Sequence, residues 1–434
     1  MKTLIVRGGR PLRGCVSVPG DKSISHRAAL LGAVAEGVTR ITGFLRGEDC
    51  LATLEALRAL GVAVDDNGHE VVIHGIDEEG LSTPRGPLCV GNSGTLLRLL
   101  AGLVAGYPVE ATLDGDASIR RRPMDRIAIP LRSMGARVSG AGDRCLPPVT
   151  VRGGDLRPIS YTSPVASAQV KSCVFFAGLR CHGVTSVTEP RPSRDHTERM
   201  LEGFGAVVER NGLTVSVLGP GKLQGRAVRV PGDISSAAFY LVAGTVVSGS
   251  SITVQAVGVN PTRTGFLDIL AEMGAPVRQG PIAQEDAEPV ADLQSEEGAL
   301  RGVRIGGDLV PRAIDELPVA ALAACFADGP TRIQDAAELR VKESDRIAST
   351  ARLLASFGVR VEVEDDGLVV YPGRLGPAMV DSGGDHRIAM TGVIAGLAVS
   401  GESRIRDTAC IATSFPGFVE GLCSLGADVE EADD

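Results

Sequence analysis

The chain has 434 residues, a formal net charge of −9 and no tryptophan. This length is too great for one hydrophobic core, so we expect two domains of about 200 residues each. The acidic balance argues against a general nucleic-acid-binding protein, and nine scattered cysteines without a Cys-x-x-Cys pair favour reduced thiols over a disulfide or zinc framework.

The amino-terminal segment reaches Arg7 too early for a secretory signal peptide. The apolar segments farther along the chain are too short, or too polar at their ends, to span a bilayer. We therefore expect a cytoplasmic protein that is neither secreted nor inserted into a membrane.

Six segments of low charge are distributed along the chain, and most are apolar on every side. Such segments are typical of helices that are buried all round. They cover residues 28–36, 95–105, 168–179, 235–247, 317–327 and 388–399. A polar, β-rich run follows each of them, for example residues 39–42 and 251–254, so each buried helix is predicted to lead into a strand.

A second pattern, Leu-x-x-apolar-Gly-(Ala or Val)-x-Val, also occurs six times. Its glycines are Gly61, Gly135, Gly205, Gly274, Gly358 and Gly426, which lie 68 to 84 residues apart. The leucine and the residue before the glycine share a helix face, the glycine suits the left-handed position that closes a helix, and the alternation after it is typical of a strand. The chain is therefore predicted to contain six related α/β units, each with a buried helix, a strand, an amphipathic helix and further strands.

Two identical tetrapeptides, Val-Pro-Gly-Asp at 18–21 and 230–233, each introduce a predicted buried helix. If both are crossings between domains, residues 1–20 and 231–434 form one domain of three units and residues 21–230 form the other. Two parallel crossings would make a hinge, by which the domains could close over a substrate and expel water. Two ordinary turns in homologous repeats explain the tetrapeptides equally well.

Residues 279–300 contain six acids and no lysine or arginine. Such a run is typical of a solvated surface. We interpret it as a surface insertion, which also accounts for the longest spacing between the repeated glycines.

Polar motifs collect just before the predicted buried helices, where a helix presents unpaired N–H groups and a partial positive charge. They cover residues 21–27, 91–95, 163–169, 233–236, 315–318 and 385–387. Helix capping explains most of their serines and aspartates. It does not explain Lys22, Arg27 and Arg387, because cations oppose the helix dipole unless an anion lies between them. The motifs therefore predict an anionic ligand.

Further basic residues occur at 120–123, 191–194 and 340–346. A lone arginine cluster is more often a solvated surface than a site. In the last cluster, Lys342 and Arg346 lie four residues apart beside Glu343, and we expect them to open an amphipathic helix and to point the same way. Guanidinium groups bind carboxylate and phosphate through two hydrogen bonds, which indicates a site for more than one anionic group.

Other ligand classes find no support in the sequence. It contains neither a P-loop nor a dinucleotide fingerprint, and no spacing typical of metal ligands, so we expect no nucleotide cofactor and no metal. His26 and His386 lie inside the basic motifs and are as consistent with a functional role as with a structural one. For His69, His74 and His182 we expect structural or exposed positions.

Taken together, these motifs resemble the 5-enolpyruvylshikimate-3-phosphate synthase family over essentially the whole chain. The resemblance rests on Asp21-Lys22-Ser23 with Arg27, residues 91–95, Arg122-Pro123, Ser167-Ala168-Gln169, Asp315-Glu316, residues 339–346 and Asp385-His386-Arg387. It implies a two-domain inside-out α/β barrel with three units per domain, in which sheets surround buried helices whose amino termini face a cleft. It also implies transfer of the enolpyruvyl group of phosphoenolpyruvate to the 5-hydroxyl of shikimate 3-phosphate.

The resemblance implies two sets of substrate ligands. Those for shikimate 3-phosphate are Lys22, Ser23, Arg27, Ser167, Gln169, Asp315 and Lys342, with Arg194 for the phosphate. Those for phosphoenolpyruvate are Lys22, Gly94, Arg122, Gln169, Arg346 and Arg387. Asp315 would be the base that takes the hydroxyl proton and Glu343 the proton donor to C3, with Lys22 as the alternative donor. The partners would be these two small anions alone, with no nucleic acid or membrane, and we expect a monomer.

Two residues depart from the pattern of the family. Thr413 occupies a position before Ser-Phe-Pro at which many members carry lysine, so one phosphoenolpyruvate contact is missing. Ala168 replaces the second serine of a common Ser-Ser-Gln, which removes one hydroxyl donor from the phosphate site. Both departures indicate a distant subclass.

Three other functions compete with this interpretation. An enolpyruvyl transferase acting on UDP-N-acetylglucosamine would carry Lys-Asn in place of Lys22-Ser23 and a cysteine within residues 115–120. An RNA 3′-phosphate cyclase would require a nucleotide-linked catalytic histidine and a basic surface. A phosphometabolite-binding protein would gain nothing from the acids Asp315 and Glu343.

Overall fold

The computed structural model describes residues 2–76 and 80–433, which separate into two compact units. The first unit contains the residues up to Pro19, Pro231–Gln284 and the residues from Pro289 onwards. The second unit contains Gly20–Val230 together with Glu285–Glu288. The chain therefore passes between the units near the two Val-Pro-Gly-Asp turns and again around residues 285–288.

Both units contain helices interspersed with strands. The helices are α1 (Lys22–Ala33), α2 (Glu48–Ala59), α3 (Gly94–Ala105), α4 (Asp125–Met134), α5 (Ala168–Gly178), α6 (His196–Gly203), α7 (Ile234–Val246), α8 (Gly265–Glu272), α9 (Leu309–Ala313), α10 (Leu317–Ala324), α11 (Arg346–Ser356), α12 (His386–Leu397) and α13 (Phe418–Ser424), with 3₁₀ turns at Ile119–Arg121, Ala337–Val341 and Thr408–Thr413. The strands are β1 (Lys2–Gly8), β2 (Arg13–Ser17), β3 (Val38–Thr42), β4 (Ala63–Asp66), β5 (Glu70–His74), β6 (Leu88–Cys89), β7 (Glu110–Asp114), β8 (Arg137–Ala141), β9 (Leu146–Arg152), β10 (Ser160–Thr162), β11 (Gly183–Thr188), β12 (Val208–Asn211), β13 (Thr214–Gly219), β14 (Ala227–Arg229), β15 (Ser251–Gly258), β16 (Val277–Gln279), β17 (Ala283–Glu285), β18 (Glu288–Glu296), β19 (Arg304–Ile305), β20 (Thr331–Ile333), β21 (Val361–Glu364), β22 (Gly367–Val370), β23 (Met379–Asp381), β24 (Gly401–Arg406) and β25 (Asp428–Asp433).

Six sheets repeat one strand order. In each sheet, one edge strand pairs in parallel with the strand that follows the buried helix, and two antiparallel strands complete the sheet. The orders in the second unit are β14-β3-β5-β4, β6-β7-β9-β8 and β10-β11-β13-β12. Those in the first unit are β16-β18-β15-β2, with β17 beside β18, and β19-β20-β22-β21 and β23-β24-β1-β25. The predicted six α/β units are confirmed.

The repeated glycines close the amphipathic helices as predicted. All six have φ between +79° and +112°, the left-handed region that suits glycine. They follow α2, α4, α6, α8, α11 and α13, and β4, β8, β12, β16, β21 and β25 start within a few residues of them.

The six apolar segments form the interior helices, and each unit has its own aliphatic core around three of them. In the second unit α3 packs closely on α5. The absence of a side chain at Gly102 permits this approach, since a Cβ there would lie 2.2 Å from the carbonyl oxygen of Cys173. Aspartates and serines cap the amino termini of five interior helices, at Asp21, Ser93, Ser167, Asp233 and Asp385. Within residues 2–76 and 80–433, no helix is both long and apolar enough to cross a membrane.

The expectation for the acidic segment at 279–300 holds only in part: residues 281–284, Asp286, Asp292 and Glu297 are exposed, but the segment is not an insertion outside the repeated architecture. Its residues form β17 and all of β18, and β18 lies between β15 and β16 in the five-stranded sheet. Glu288, at the start of β18, is 4% exposed and accepts a hydrogen bond from His196 Nδ1 at 2.7 Å. Charge composition predicted a solvated run, but the alternating apolar positions of β18 allow it to be a central strand.

Candidate active site

In the second unit, the amino terminus of α1 presents the first predicted ligands. Asp21 caps this helix by accepting from the backbone N–H of Ile24. Lys22 lies in the first turn, half-buried, and its Nζ donates to Asp49 Oδ2 at 3.0 Å. Ser23 follows and is half-buried. The partner acid holds the ammonium of Lys22 at the helix end, where the helix dipole alone would repel it.

Arg27 is one turn further into α1 and only 2% exposed. It donates from Nε to Thr197 Oγ1, from Nη1 to the Ser23 carbonyl and from Nη2 to Ser172 Oγ. Burial is the main cause that lowers the pKa of Arg27, to about 10, and the nearby charge of Arg194 lowers it further. Three of the five N–H groups of the guanidinium are thus committed within the described residues, which leaves two for a ligand.

The amino termini of α3 and α5 bring three predicted phosphoenolpyruvate ligands together. A Cβ built on Gly94 would lie 2.9 Å from Arg122 Nη1 and 3.1 Å from Arg98 Nη1. Arg98 in turn donates to the side-chain oxygen of Gln169. Two buried arginines therefore lie beside a glycine at a helix amino terminus, a combination suited to a small anion.

The Gly94→Ala variant tests this packing. The new methyl is expected to displace the guanidinium of Arg122 and to raise the KM for phosphoenolpyruvate by about 10-fold to 100-fold, because such displacements of a binding group are costly. Stability is expected to be unchanged or slightly higher, since alanine favours a helix over glycine. Steady-state kinetics and thermal unfolding measure both effects. The exposed Gly86→Ala variant, whose Cβ would meet no atom within 4 Å, is the control, and an unchanged KM at position 94 would contradict the prediction.

Ser167 and Ser193, which precedes Arg194, donate to one buried carboxylate, that of Glu189. Ser167 caps α5, and its backbone N–H donates to Glu189 Oε1 at 2.7 Å. Arg194 is half-buried in the loop between β11 and α6, next to Ser193, which donates to the other oxygen of Glu189.

Of the histidines, His26 is fully buried in α1, with Nδ1 2.7 Å from Thr53 Oγ1. His386 is also buried, at the start of α12. His69, His74 and His182 are exposed, as expected.

Stability at mildly acidic pH is expected to depend on His26. Burial, and then the charges of Lys22 and Arg27, hold the pKa of His26 well below its usual value. The unfolded chain therefore takes up a proton that the folded protein excludes, and the free energy of unfolding falls by at most about 1.4 kcal/mol per pH unit as the pH drops below about 6.5. Urea unfolding of the wild type and His26→Gln at several pH values measures this, with the exposed His182→Gln as control. Equal slopes for the wild type and His26→Gln would refute the prediction.

In the first unit, ion pairs link four predicted residues, Asp315, Lys342, Glu343 and Arg346. Asp315 Oδ1 accepts from both Lys342 Nζ and Arg346 Nη1, each at 3.2 Å. Arg346 Nη2 also donates to Glu343 Oε2 at 2.6 Å. The guanidinium of Arg346, 1% exposed, thereby links both candidate catalytic acids.

Asp385 completes this cluster. It accepts from Arg346 Nε at 2.9 Å and caps α12 by accepting from the backbone N–H of Arg387. Burial alone would lower the pKa of Arg346, but the carboxylates of Asp385, Glu343 and Asp315 outweigh it and raise the pKa. Burial alone would likewise raise the pKa of Asp385, but the charge of Arg346 holds it below its usual value. The ion pair is therefore charged on both sides throughout the physiological range.

The expected helix start at Lys342 is wrong. The helix α11 begins at Arg346 and is capped by Asp345, whereas Lys342 and Glu343 lie in the connection after a 3₁₀ turn. Lys342 and Arg346 nevertheless share a partner, because both donate to Asp315 Oδ1. The helix begins where Asp345 caps it, and the i, i+4 spacing of Lys342 and Arg346 does not decide its start.

Arg387 and Thr413 lie farther along the first unit. Arg387 Nη1 donates to the carbonyl of Ser235 at 3.2 Å, and the guanidinium lies over the ring of Phe239 at 5.9 Å. Thr413 is buried and donates to the Cys410 carbonyl. Arg387 is linked to the Arg346 cluster through Asp385, whereas the hydroxyl of Thr413 satisfies a backbone carbonyl.

The arginines at 120–122 differ in whether they fit a solvated surface or a binding site. Arg120 and Arg121 are exposed, and Arg120 pairs with Asp114. Arg122 is 7% exposed and lies beside Gly94. The solvated-surface interpretation therefore holds for two of the three arginines.

Several functional candidates escaped the sequence analysis. They are Asp49, Arg98, Lys171, Glu189, His196, Thr197 and Glu198, all buried. One signal was available, because a lysine or arginine within an apolar helix, as at Lys171 and Arg98, requires a buried partner. The acids that serve as partners lie on other elements and give no local signal.

Comparison with known proteins identifies relatives over nearly the whole chain. A family model described as EPSP synthase (3-phosphoshikimate 1-carboxyvinyltransferase) matches residues 6–422. A protein of Bacillus cereus (strain ATCC 10987 / NRS 248) named 3-phosphoshikimate 1-carboxyvinyltransferase is 51% identical over 415 residues, which cover 95% of this chain and 97% of that protein. A protein of Bacillus anthracis with the same name is 50% identical with the same coverage.

Solved structures agree. The EPSP synthase of Acinetobacter baumannii superposes with a TM-score of 0.89 and 44% identity, covering 100% of both chains. The enolpyruvyl transferase NikO of Streptomyces tendae has a TM-score of 0.78 at 20% identity over 99% of each chain, a likeness of fold alone. The predicted inside-out α/β fold is confirmed.

Proposed function

The chain belongs to the EPSP synthase (3-phosphoshikimate 1-carboxyvinyltransferase) family, and from this premise we propose which of its residues bind the substrates and carry out the reaction. The activity is the transfer of the enolpyruvyl group of phosphoenolpyruvate to the 5-hydroxyl of shikimate 3-phosphate, with release of inorganic phosphate. It serves aromatic amino acid biosynthesis. Both substrates are small anions, the ligand class that the cations at the helix amino termini predict.

We assign shikimate 3-phosphate to a set of polar residues. These are Lys22, Ser23, Arg27, Ser167, Gln169, Arg194, Asp315 and Lys342. Two observations support the assignment. Ser167 and Ser193, the neighbour of Arg194 in the sequence, donate to the same buried carboxylate, and Arg27 keeps two N–H groups uncommitted within the described residues.

Phosphoenolpyruvate is assigned to Lys22, Gly94, Arg122, Gln169, Arg346 and Arg387. The close approach of Arg122 and Arg98 to Gly94 supports it, because a glycine lets the backbone N–H reach an anion that the arginines neutralise. Thr413 supplies no charge at its position, so Lys22 and the three arginines supply the positive charge of this set.

Asp315 is the proposed base. As the 5-hydroxyl oxygen attacks C2 of phosphoenolpyruvate, the hydroxyl proton passes to a carboxylate oxygen of Asp315. Lys342 and Arg346 orient this carboxylate through hydrogen bonds to Oδ1. The negative charge of Asp315 also favours the cationic character that develops at C2.

Glu343 is the proposed proton donor to C3, with Lys22 as the alternative. Glu343 Oε2 accepts a hydrogen bond from Arg346 Nη2, so the charge of Arg346 faces its carboxyl group. An anionic substrate that binds Arg346 competes for this charge and so favours the protonated form that can donate to C3. Proton transfer then gives a tetrahedral adduct with a methyl group at C3 and the phosphate still on C2.

The second half of the reaction reverses the proton transfer. The C2–O bond to phosphate breaks, a methyl proton returns to Glu343 and the double bond re-forms. The phosphate leaves as inorganic phosphate with the proton held by Asp315. Cations around the leaving group stabilise the charge that it gains.

The observation that carries these roles is the position of Arg346, which contacts Asp315, Glu343 and Asp385 at once. Phosphate release from phosphoenolpyruvate, measured with and without shikimate 3-phosphate, tests the function. We expect release only when shikimate 3-phosphate is present. Release with UDP-N-acetylglucosamine instead, or no release with either acceptor, would overturn it.

We further propose a cytoplasmic monomer whose two units move about the crossings at 18–21 and 230–233. Nine cysteines without a disulfide support the cytoplasmic location. Small-angle scattering with and without shikimate 3-phosphate plus inorganic phosphate tests the rest. We expect a monomer whose radius of gyration decreases on binding, and an unchanged radius would contradict the hinge.

A further inference from the structure

A buried ion network lies in the second unit beside the proposed phosphate ligands. Lys171 Nζ, on α5, lies 2.8 Å from Glu189 Oε2 and 2.7 Å from Glu198 Oε1, and none of the three side chains is more than 4% exposed. Burial alone would lower the pKa of Lys171, but Glu198 and Glu189 outweigh it and raise the pKa. The lysine is thus a permanently charged link between two acids and has no part in proton transfer.

Glu189 connects two segments that are distant in sequence. One oxygen accepts from the backbone N–H of Ser167 and the other from Ser193 Oγ, at 2.7 and 2.8 Å. Its own backbone N–H donates to the Leu213 carbonyl, which anchors it at the end of β11. One carboxylate therefore fixes the residue that caps α5 and the loop at 190–195 that carries Arg194.

The same network extends to Arg27 through helix α6. Glu198 holds Lys171, while the preceding residue, Thr197, accepts from Arg27 Nε and shares a hydrogen bond with Ser172 Oγ. Consecutive residues of α6 thus secure α5 and α1 to one another. These buried contacts therefore join two proposed shikimate 3-phosphate ligands, Ser167 and Arg27, to the loop that carries a third, Arg194.

Two buried acids next to an anion site require an explanation. An unpaired carboxylate there would repel the phosphate, and Lys171 neutralises one of the two negative charges. What Glu189 contributes is orientation, since a carboxylate can accept several hydrogen bonds at once and hold both donors at fixed angles.

We propose that Glu189, held by Lys171, is a positioning residue that sets Ser167 and the 190–195 loop for the phosphate of shikimate 3-phosphate. This inference rests on the proposed function. It assigns to the network the discrimination between the phosphorylated substrate and shikimate, which lacks the phosphate. Because Glu189 touches neither reacting carbon, its loss acts through the ligands that it holds.

Binding measurements on Glu189→Gln test the proposal. The amide keeps the shape, but its NH₂ group cannot accept from Lys171 or Ser193. We expect the Kd for shikimate 3-phosphate to rise at least about tenfold, the size typical of a lost charged hydrogen bond. The Kd for shikimate is expected to stay within about twofold of the wild-type value, both by isothermal titration calorimetry. Glu202→Gln, an exposed acid on α6 that pairs with Arg210, is the matched control and should change neither.

Ser193→Ala provides a second variant without a buried charge change. It removes one hydrogen bond to Glu189 and should weaken shikimate 3-phosphate selectively but less, so it decides the question if Glu189→Gln does not fold. Unchanged affinity for both ligands, or an equal loss for both, would overturn the proposal. If the wild type itself neither binds shikimate 3-phosphate nor releases phosphate with it, the proposed function fails and not this inference alone.

Discussion

The Asp315→Asn variant is expected to bind both substrates and to lose about 100-fold to 10,000-fold in kcat, the contribution typical of a positioned general base. Asparagine preserves the shape of the side chain and can still accept hydrogen bonds from Lys342 and Arg346. It cannot accept the hydroxyl proton. Binding should therefore survive while turnover does not, which steady-state phosphate release and calorimetric binding of shikimate 3-phosphate measure separately.

The exposed Asp365, in the same unit, provides the matched control for this experiment. Asp365→Asn changes the same charge without contacting the cluster and should leave kcat unaltered. A kcat for Asp315→Asn within about tenfold of the wild type would remove this residue from the role of base. A loss confined to KM would make it a binding residue only.

Replacing Arg346 by methionine is expected to destabilise the first unit by about 3 to 5 kcal/mol and to abolish activity, because it leaves buried carboxylates without their cation. Asp385, with a fully buried side chain, and Glu343, at 16% exposure, both lose a direct ion pair. Urea unfolding followed by circular dichroism measures the loss as a shift of the midpoint.

Two further variants separate charge from packing at Arg346. Asp385→Asn in the Arg346→Met background removes the stranded charge and keeps an oxygen that can cap α12, so part of the stability should return. Arg352→Met, at an exposed position of the same helix, should change stability by at most about 0.5 kcal/mol. No recovery in the double variant would show that the loss is not electrostatic.

Much of the candidate site could be predicted because its residues stand at the amino termini of helices. The caps Asp21, Ser93, Ser167, Asp233 and Asp385 act through N–H groups two or three residues away, so local order reveals them. Asp49, which binds Lys22 from the next helix, gives no such signal. The sequence therefore indicates the cations of the site and leaves their partners unidentified.

The helix start at 342–346 shows the limit of local spacing. The sequence predicts that Lys342 and Arg346 act together, and both do contact Asp315. The assumed route through one helix face is wrong, since only Arg346 is helical. Two residues can share a partner through several backbone paths, and the i, i+4 spacing cannot distinguish among them.

By itself the sequence determined the six α/β units, their interior helices and the glycines that close the outer ones, because periodicity, capping and positive φ are local properties of a few neighbouring residues. Only the tertiary structure decided that β1 completes the last sheet between β24 and β25. It likewise decided that β14 pairs in parallel with β3 and β2 with β15, and that residues 285–288 join the second unit. These pairings join residues up to about 430 positions apart. Backbone hydrogen bonds between strands do not depend on which side chains the strands carry, so the packing of the whole chain selects the partners.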